Sequence, residues 1–154
     1  QDPDIILIGE LRDLETISAA LSAAETGHLV LVSLHTLSAT QTIGRLIDVF
    51  PSEQQGQIRY QLAFTLEGIV TQQLVPAIDG SLVPACELLF ITPAIKNLIK
   101  EGNTHQANVL IETGSKFGMQ SMDQALFNLY RAGKISNSVL ASRVTDPEKI
   151  RGLV

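Results

Sequence analysis

A carboxylate stands where an apolar run ends. Ile5-Ile6-Leu7-Ile8 passes into Gly9-Glu10, with Arg12 and Asp13 just beyond. In an open α/β sheet, ligands gather at the carboxyl ends of the strands. A carboxylate at that point can order a magnesium-bound water or polarise an attacking one, and phosphoryl transfer depends on such positioning. The alternative is that Glu10 only begins a solvated loop. Two histidines bracket a second apolar run, His28 before Leu29-Val30-Leu31-Val32 and His35 after it. Extended chain of that length separates them by about 23 Å, so they are not two ligands of one metal on that strand. If the two strands are neighbours, His35 lies beside Glu10, where an imidazole can meet a terminal phosphate; the alternative is a histidine satisfied by a backbone carbonyl.

Other chemistry finds little support. Thr113-Gly114-Ser115-Lys116-Phe117-Gly118 has a superficial likeness to a phosphate loop. The required pattern is G-x-x-x-x-G-K-S/T between a strand and a helix, whereas here the glycines join two helical patterns. It reads as a turn. No other segment supplies such a loop. Cys86 is the one cysteine, which excludes an internal disulfide and a four-cysteine zinc site. It reads as a small core residue. Neither a nucleophile motif nor a metal-ligand spacing is present.

The elements that must position Glu10 and His35 follow from local pattern. Ile5–Ile8 and the run from His28 to Leu34 are continuous and rich in β-branched residues, as expected of parallel strands buried on both faces. Between them Asp13 is suited to cap a helix carrying Leu14, Ile17, Leu21 and Ala24, closed by Gly27. A further helix carries Ile43, Leu46, Ile47 and Phe50 and stops at Pro51. Another is expected to be capped by Ser52, to carry Ile58, Leu62, Ala63 and Leu66, and to end at Gly68. Two more strands, Ile69–Val75 and Leu82–Phe90, flank the hairpin signal Asp79-Gly80. Beyond Phe90 the pattern is helical. Thr92-Pro93 opens a helix with Ile95, Leu98 and Ile99 on one face, ended by Gly102. Short helices follow around Ala107–Ile111, from Ser121 to Gly133 and from Ser136, with a last helical turn starting at Asp146-Pro147. The expected fold is α/β with a mostly parallel sheet, followed by a C-terminal all-helical region. The division falls between residues 1–90 and 91–154.

The composition agrees with one soluble globular domain. The chain has 154 residues, 45% of them hydrophobic and 18% charged. Tryptophan is absent, so the core must be aliphatic. The net charge of -5 argues against affinity for nucleic acid through its phosphates. No apolar run reaches the length of a membrane span. The opening Gln1-Asp2-Pro3-Asp4 lacks Met and leads at once into a strand, which raises the expectation of a cut chain.

Taken together these runs resemble the secretion-superfamily ATPases, across essentially the whole chain. Asp4-Ile5-Ile6-Leu7-Ile8-Gly9-Glu10-Leu11-Arg12-Asp13 is similar to their Walker B segment. Ala24-Glu25-Thr26-Gly27-His28 through His35-Thr36 is similar to their histidine box, and Ile47-Asp48-Val49-Phe50-Pro51 with Gln54-Gln55 and Ile58-Arg59 is also typical. Ala94-Ile95-Lys96-Asn97-Leu98-Ile99-Lys100-Glu101 resembles the AIRNLIRE motif of the PilT pilus-retraction branch, with lysine at two arginine positions. Charge is kept there, although lysine does not replace bidentate pairing. Gly118-Met119-Gln120 and Met122-Asp123 are PilT-like as well. The short Asp79-Gly80 hairpin lacks the four-cysteine zinc insertion common in assembly and secretion ATPases.

The resemblance implies a partial RecA-like core followed by the helical region. It implies ATP as substrate with Mg2+, a homo-hexameric ring, and a cytoplasmic place under an inner-membrane pilus platform protein, with neither zinc nor nucleic acid. It carries Glu10 over as the catalytic carboxylate and His35 as the histidine facing the γ-phosphate. Arg12 and His28 are associated with the nucleotide, and Ala94–Glu101 serves retraction. The family's Walker A loop and acidic box are expected to precede residue 1. Competing readings are an assembly or secretion ATPase, or a non-catalytic module that binds ring subunits or the platform.

Overall fold

The computed structural model describes residues 3–146. Contacts divide the chain into two compact units that interleave in sequence. One holds residues up to Gly68 together with Ile91–Ala107, and the other holds Ile69–Phe90 with the residues from Asn108 onward.

In the first unit, β1 (Ile5–Ile8) and β2 (Leu29–Val32) pair in parallel, Ile5 opposite Leu29 and Ile8 opposite Val32. Such a pair needs a crossover, and α1 (Leu14–Glu25) supplies it. Asp13 caps α1 as expected. Its carboxylate accepts from the Thr16 amide at 2.8 Å and from the Thr16 hydroxyl. These bonds favour the ionised form and hold the Asp13 pKa below the ordinary carboxylate range. A folded-state pKa below the unfolded one means that the cap is fully effective above the ordinary carboxylate pKa. Its contribution is lost as the pH falls through the folded value. Asp13→Asn is therefore expected to remove an acid-induced fraying of α1, measured by amide exchange along Leu14–Ile17 between pH 5 and pH 2.5.

Two helices follow, α2 (Ala39–Asp48) and α3 (Ser52–Thr65), and α4 (Pro93–Glu101) packs on α3. Leu11, Ile17, Leu21, Ile43, Leu46, Ile47, Phe50, Ile58, Leu62, Ile95 and Ile99 form the buried interior. Ser52 is the first residue of α3 and not its cap. Pro51 occupies the cap position without a side-chain bond, its φ of -53° suiting the entry to a helix. Nor does Gly68 end this helix. The chain is already extended at Leu66, and Gly68 opens the next strand. Thr92 caps α4, Pro93 begins it, and Gly102 closes it at φ 76°, a backbone region disfavoured for side chains with a Cβ.

The expectation that β1 and β2 are buried on both faces is not met. Ile5, Leu7, Leu29 and Leu31 share one face and are exposed, Leu7 at 77%. The opposite face is covered by α1 and α3, and Val30 and Val32 line an apolar cavity of about 90 Å³ with Leu21, Leu46 and Leu62. Nothing among the described residues covers the first face. β2 itself is shorter than the run from His28 to Leu34.

The second unit is built on a hairpin of β3 (Gly68–Pro76) and β4 (Leu82–Phe90), a separate two-stranded sheet. Its loop is too short for a parallel crossover, so the pair is antiparallel. Asp79 accepts from the Ser81 amide at 2.9 Å and from its hydroxyl at 2.6 Å. The sheet is thus not mostly parallel. One parallel pair and one hairpin make a mixed α/β structure.

Three helices complete this unit, α5 (Ala107–Thr113), α6 (Met122–Arg131) and α7 (Asn137–Arg143). Val75, Ala85, Met122, Leu126, Ile135 and Leu140 form its core. Gln120 exchanges backbone bonds with Leu88 at 2.8 and 3.1 Å, which fastens the approach to α6 against β4. The expected helical turn from Asp146-Pro147 falls outside the described residues apart from Asp146.

The glycine turn at 113–118 is a 3-10 turn, Ser115–Phe117, between α5 and α6. Gly114 serves packing there. A Cβ at this position would lie 2.5 Å from the Leu110 carbonyl oxygen and 2.7 Å from Met119 Sδ. Gly114→Ala is expected to destabilise the protein by about 1–3 kcal/mol through this overpacking, read as a lower urea midpoint.

Candidate functional site

The carboxyl ends of β1 and β2 are tied together beyond their ladder. The Leu11 amide donates to the Ser33 carbonyl at 3.1 Å, and the Ser33 hydroxyl donates to the Gly9 carbonyl. This clasp leaves Glu10 between two anchored neighbours, since Leu11 is itself buried in the core. The Glu10 side chain is 25% exposed. Arg12 Nη2 lies 2.5 Å from its Oε2, and His35 Nε2 lies 3.4 Å from its Oε1. The parallel register therefore brings Glu10 and His35 together from positions 25 residues apart in the chain.

The charge state of Glu10 follows from these neighbours. The Arg12 hydrogen bond is the largest influence and holds the carboxyl below its ordinary pKa. Partial burial opposes this, while the charges of Arg12, His35 and Arg45 add to it. Glu10 is accordingly ionised at neutral pH, and Arg12 is held cationic in return. A salt bridge so open to solvent contributes little to folding. Its consequence is a fixed negative charge, held in a known direction at a strand end.

His35 sits in the loop between β2 and α2, and that loop is pinned on both sides. Thr36 and Thr42 share a hydroxyl–hydroxyl bond of 2.7 Å, and the buried Thr42 also donates to the Ser38 carbonyl. The Leu37 amide donates to Gln41 Oε1 at 2.8 Å, and the Gln41 amide donates back to Ser38 Oγ. Arg45 Nη1 donates to the His35 carbonyl at 3.2 Å. The imidazole itself is 81% exposed, so its backbone is fixed while its ring stays accessible. Sequence reasoning passed over Arg45, Gln41 and Thr42. Thr42 carried the one available signal, a polar residue on the apolar face of α2.

His28 is placed elsewhere. It lies at the opposite end of β2, with Nδ1 3.0 Å from both the Ala23 carbonyl and the Thr26 hydroxyl. A carbonyl can only accept, so Nδ1 carries the proton and the ring closes the C-terminal end of α1. It takes no part in the Glu10 cluster.

The Ala94–Glu101 segment coincides with α4 and divides into two faces. Ile95 and Ile99 are fully buried and Leu98 is half-buried, whereas Ala94, Asn97 and Glu101 are exposed. Lys96 and Lys100 lay their stems outward along α3. Among the described residues no hydrogen bond or ion pair joins α4 to Glu10 or His35.

No group of three or more His, Cys, Asp or Glu among the described residues is placed to hold a metal ion. The donor set at the strand end, one ionised carboxylate beside an imidazole, suits contact with the water shell of a magnesium ion carried by phosphates; it does not make an all-protein cage. No helix among the described residues is long and apolar enough to cross a membrane.

Residues 1–137 match the sequence profile described as Type II/IV secretion system protein. The chain is 47% identical over 148 residues to the Type IV pilus retractation ATPase PilT of Pseudomonas aeruginosa, covering 96% of this chain and 43% of that protein. It is 43% identical over 151 residues to a twitching motility protein of Neisseria gonorrhoeae, covering 97% of this chain and 40% of that protein. Among solved structures, the pilus retraction motor PilT with bound ADP superposes at a TM-score of 0.87 and 45% identity, over 99% of this chain and 43% of that one. The chain thus spans about two-fifths of the length of the curated relatives it matches.

Proposed function

Because the chain belongs to the Type II/IV secretion system protein family, we propose that it is part of a motor subunit that hydrolyses ATP to drive pilus retraction and twitching motility. The observation that carries this reading is the Glu10–His35 pair, held between the carboxyl ends of two parallel strands. In this reading residues 1–90 form the later part of a RecA-like ATPase core with its Walker B and histidine segments. Residues 91–154 form a helical region whose α4 serves retraction. The working form is a homo-hexameric ring at the cytoplasmic side of an inner-membrane pilus platform protein.

The roles proposed for these residues come from the family resemblance, and the geometry around Glu10 and His35 supports them. Glu10 is the catalytic carboxylate. It is ionised through Arg12, and its Oε1 side faces the open ground next to His35, where it orients a water for attack on the terminal phosphate. His35 faces that phosphate from its pinned loop, with Arg45 fixing its backbone. Magnesium bound with the nucleotide would supply charge neutralisation on the phosphate oxygens, and in this reading Glu10 would meet its water shell. Arg12 acts through Glu10 by holding the negative charge in place. The carried-over nucleotide role of His28 draws on family likeness alone.

The sequence given contains no G-x-x-x-x-G-K-S/T loop, whose backbone amides and lysine cradle phosphates. The 154-residue chain with magnesium and ATP is therefore expected to show no turnover above background in a phosphate-release assay. Reading the coding sequence upstream of Gln1 tests the larger reading. An in-frame phosphate-loop motif there supports the motor ATPase; a stop codon ahead of any such motif removes it.

A further inference from the structure

α3 turns two large rings away from the core. Ile58, Leu62 and Ala63 point inward, while Tyr60 and Phe64, one helical turn apart, stay 57% and 64% exposed. α4 presents two lysines at the same spacing. Lys100 Nζ lies 4.7 Å from the Phe64 ring centre and 5.9 Å from that of Tyr60, and Lys96 Nζ lies 6.0 Å from Phe64. Each ammonium is drawn to the negative face of a ring, and such contacts at exposed sites are worth about 0.5–1 kcal/mol. The stems already shield part of the rings, yet more than half of each ring's residue surface remains in water. Among the described residues no ion pair joins either lysine to a carboxylate.

We propose that this face of α3 and α4 docks an acidic polypeptide segment of a partner protein, one with an apolar side chain between its carboxylates. The apolar residue meets the Tyr60 and Phe64 rings, and the carboxylates pair with the two ammoniums from the side opposite the rings. Exposed aromatics beside cations are the composition of interface anchors. Charge complementarity selects the occupant. A lipid surface or a nucleic acid calls for larger basic clusters, commonly four to eight residues for lipid. This patch offers two lysines on a chain of net charge -5. The inference extends the retraction reading of α4 but is measured by binding alone, so failure to dock and failure to hydrolyse ATP are told apart.

The test uses the full chain and a fluorescein-labelled peptide of alternating Glu and Leu, with Gln/Leu and Lys/Leu peptides as controls, followed by anisotropy. The acidic peptide is expected to bind at least about tenfold more tightly than the Gln peptide, with the preference fading as salt is raised. Phe64→Ala is expected to weaken it about tenfold. The Lys96→Gln, Lys100→Gln double variant should abolish the preference, while arginine at both positions should keep it. Circular dichroism of each variant confirms that it is folded, which substitutions at this exposed surface permit. Equal binding of the Glu and Gln peptides overturns the proposal, as does a preference that survives the double Gln variant. Co-sedimentation with phosphatidylserine vesicles in the absence of peptide preference assigns the face to lipid and overturns it too.

Discussion

Glu10→Gln is expected to lower ATP turnover by about 10²–10⁴-fold in a protein that carries this chain behind a phosphate-binding loop. Glutamine fills the same volume and its carbonyl still accepts from Arg12, so the clasp of Gly9 and Leu11 on Ser33 stays intact. What disappears is the negative charge proposed to orient the attacking water. Nucleotide affinity should therefore change by no more than about threefold, since the loss falls on the transition state and not on binding. Arg12→Gln separates position from charge. Removing the guanidinium raises the Glu10 pKa toward the ordinary carboxylate value, because Arg12 is the main cause of its depression. Glu10 remains ionised at pH 7, so turnover there is largely kept, while the acidic limb of the pH–rate profile moves to higher pH. Turnover that survives Glu10→Gln would remove Glu10 from the catalytic role.

Ile99→Ala is expected to destabilise the protein by about 2–5 kcal/mol, measured as the shift of the urea midpoint at constant slope. Ile99 and Ile95 are fully buried on the side of α4 that packs on α3, and a deleted side chain there leaves a cavity between two helices. Asn97→Ala, on the exposed side, should stay within about 0.5 kcal/mol of the parent. The pair has a functional use. Loss of the proposed retraction activity on substituting Ile95 or Ile99 would report unfolding, whereas loss on substituting Lys96 or Lys100 would report a missing contact. A shift below about 1 kcal/mol for Ile99→Ala would mean that α4 is not seated as described.

Much of the candidate site was legible from residue types alone. Glu10 stood at the end of a β-branched run, and a carboxylate in that place has a short list of chemical uses. The segment at 113–118 could be set aside as a turn because its glycines lacked the strand and helix that a phosphate loop needs. The conformation bears this out, but the reason for Gly114, the carbonyl of Leu110 and the sulfur of Met119 beside it, is a packing fact without a sequence pattern. Arg45 was not legible either. It is an exposed helical arginine ten residues after His35, and only the fold of the loop brings it to the His35 carbonyl. Ser52 was misread as a cap because proline at the cap position forms no side-chain bond and leaves no polar signature.

By itself the sequence determined the elements, their order, most of their caps and the motif residues, because hydrophobic period, capping side chains and turn glycines act within a few residues of one another. The tertiary structure decided what depends on neighbours far along the chain. The parallel register of β1 and β2 sets Glu10 against His35. The two sheets stay separate, with one parallel and one a hairpin. One face of the parallel pair is left in water, since covering it requires a layer that no local pattern specifies. Equal spacing on α3 and α4 became a shared surface of rings and ammoniums only once the helices packed, because a side chain's partner across a helix interface is chosen by packing and not by its place in the chain.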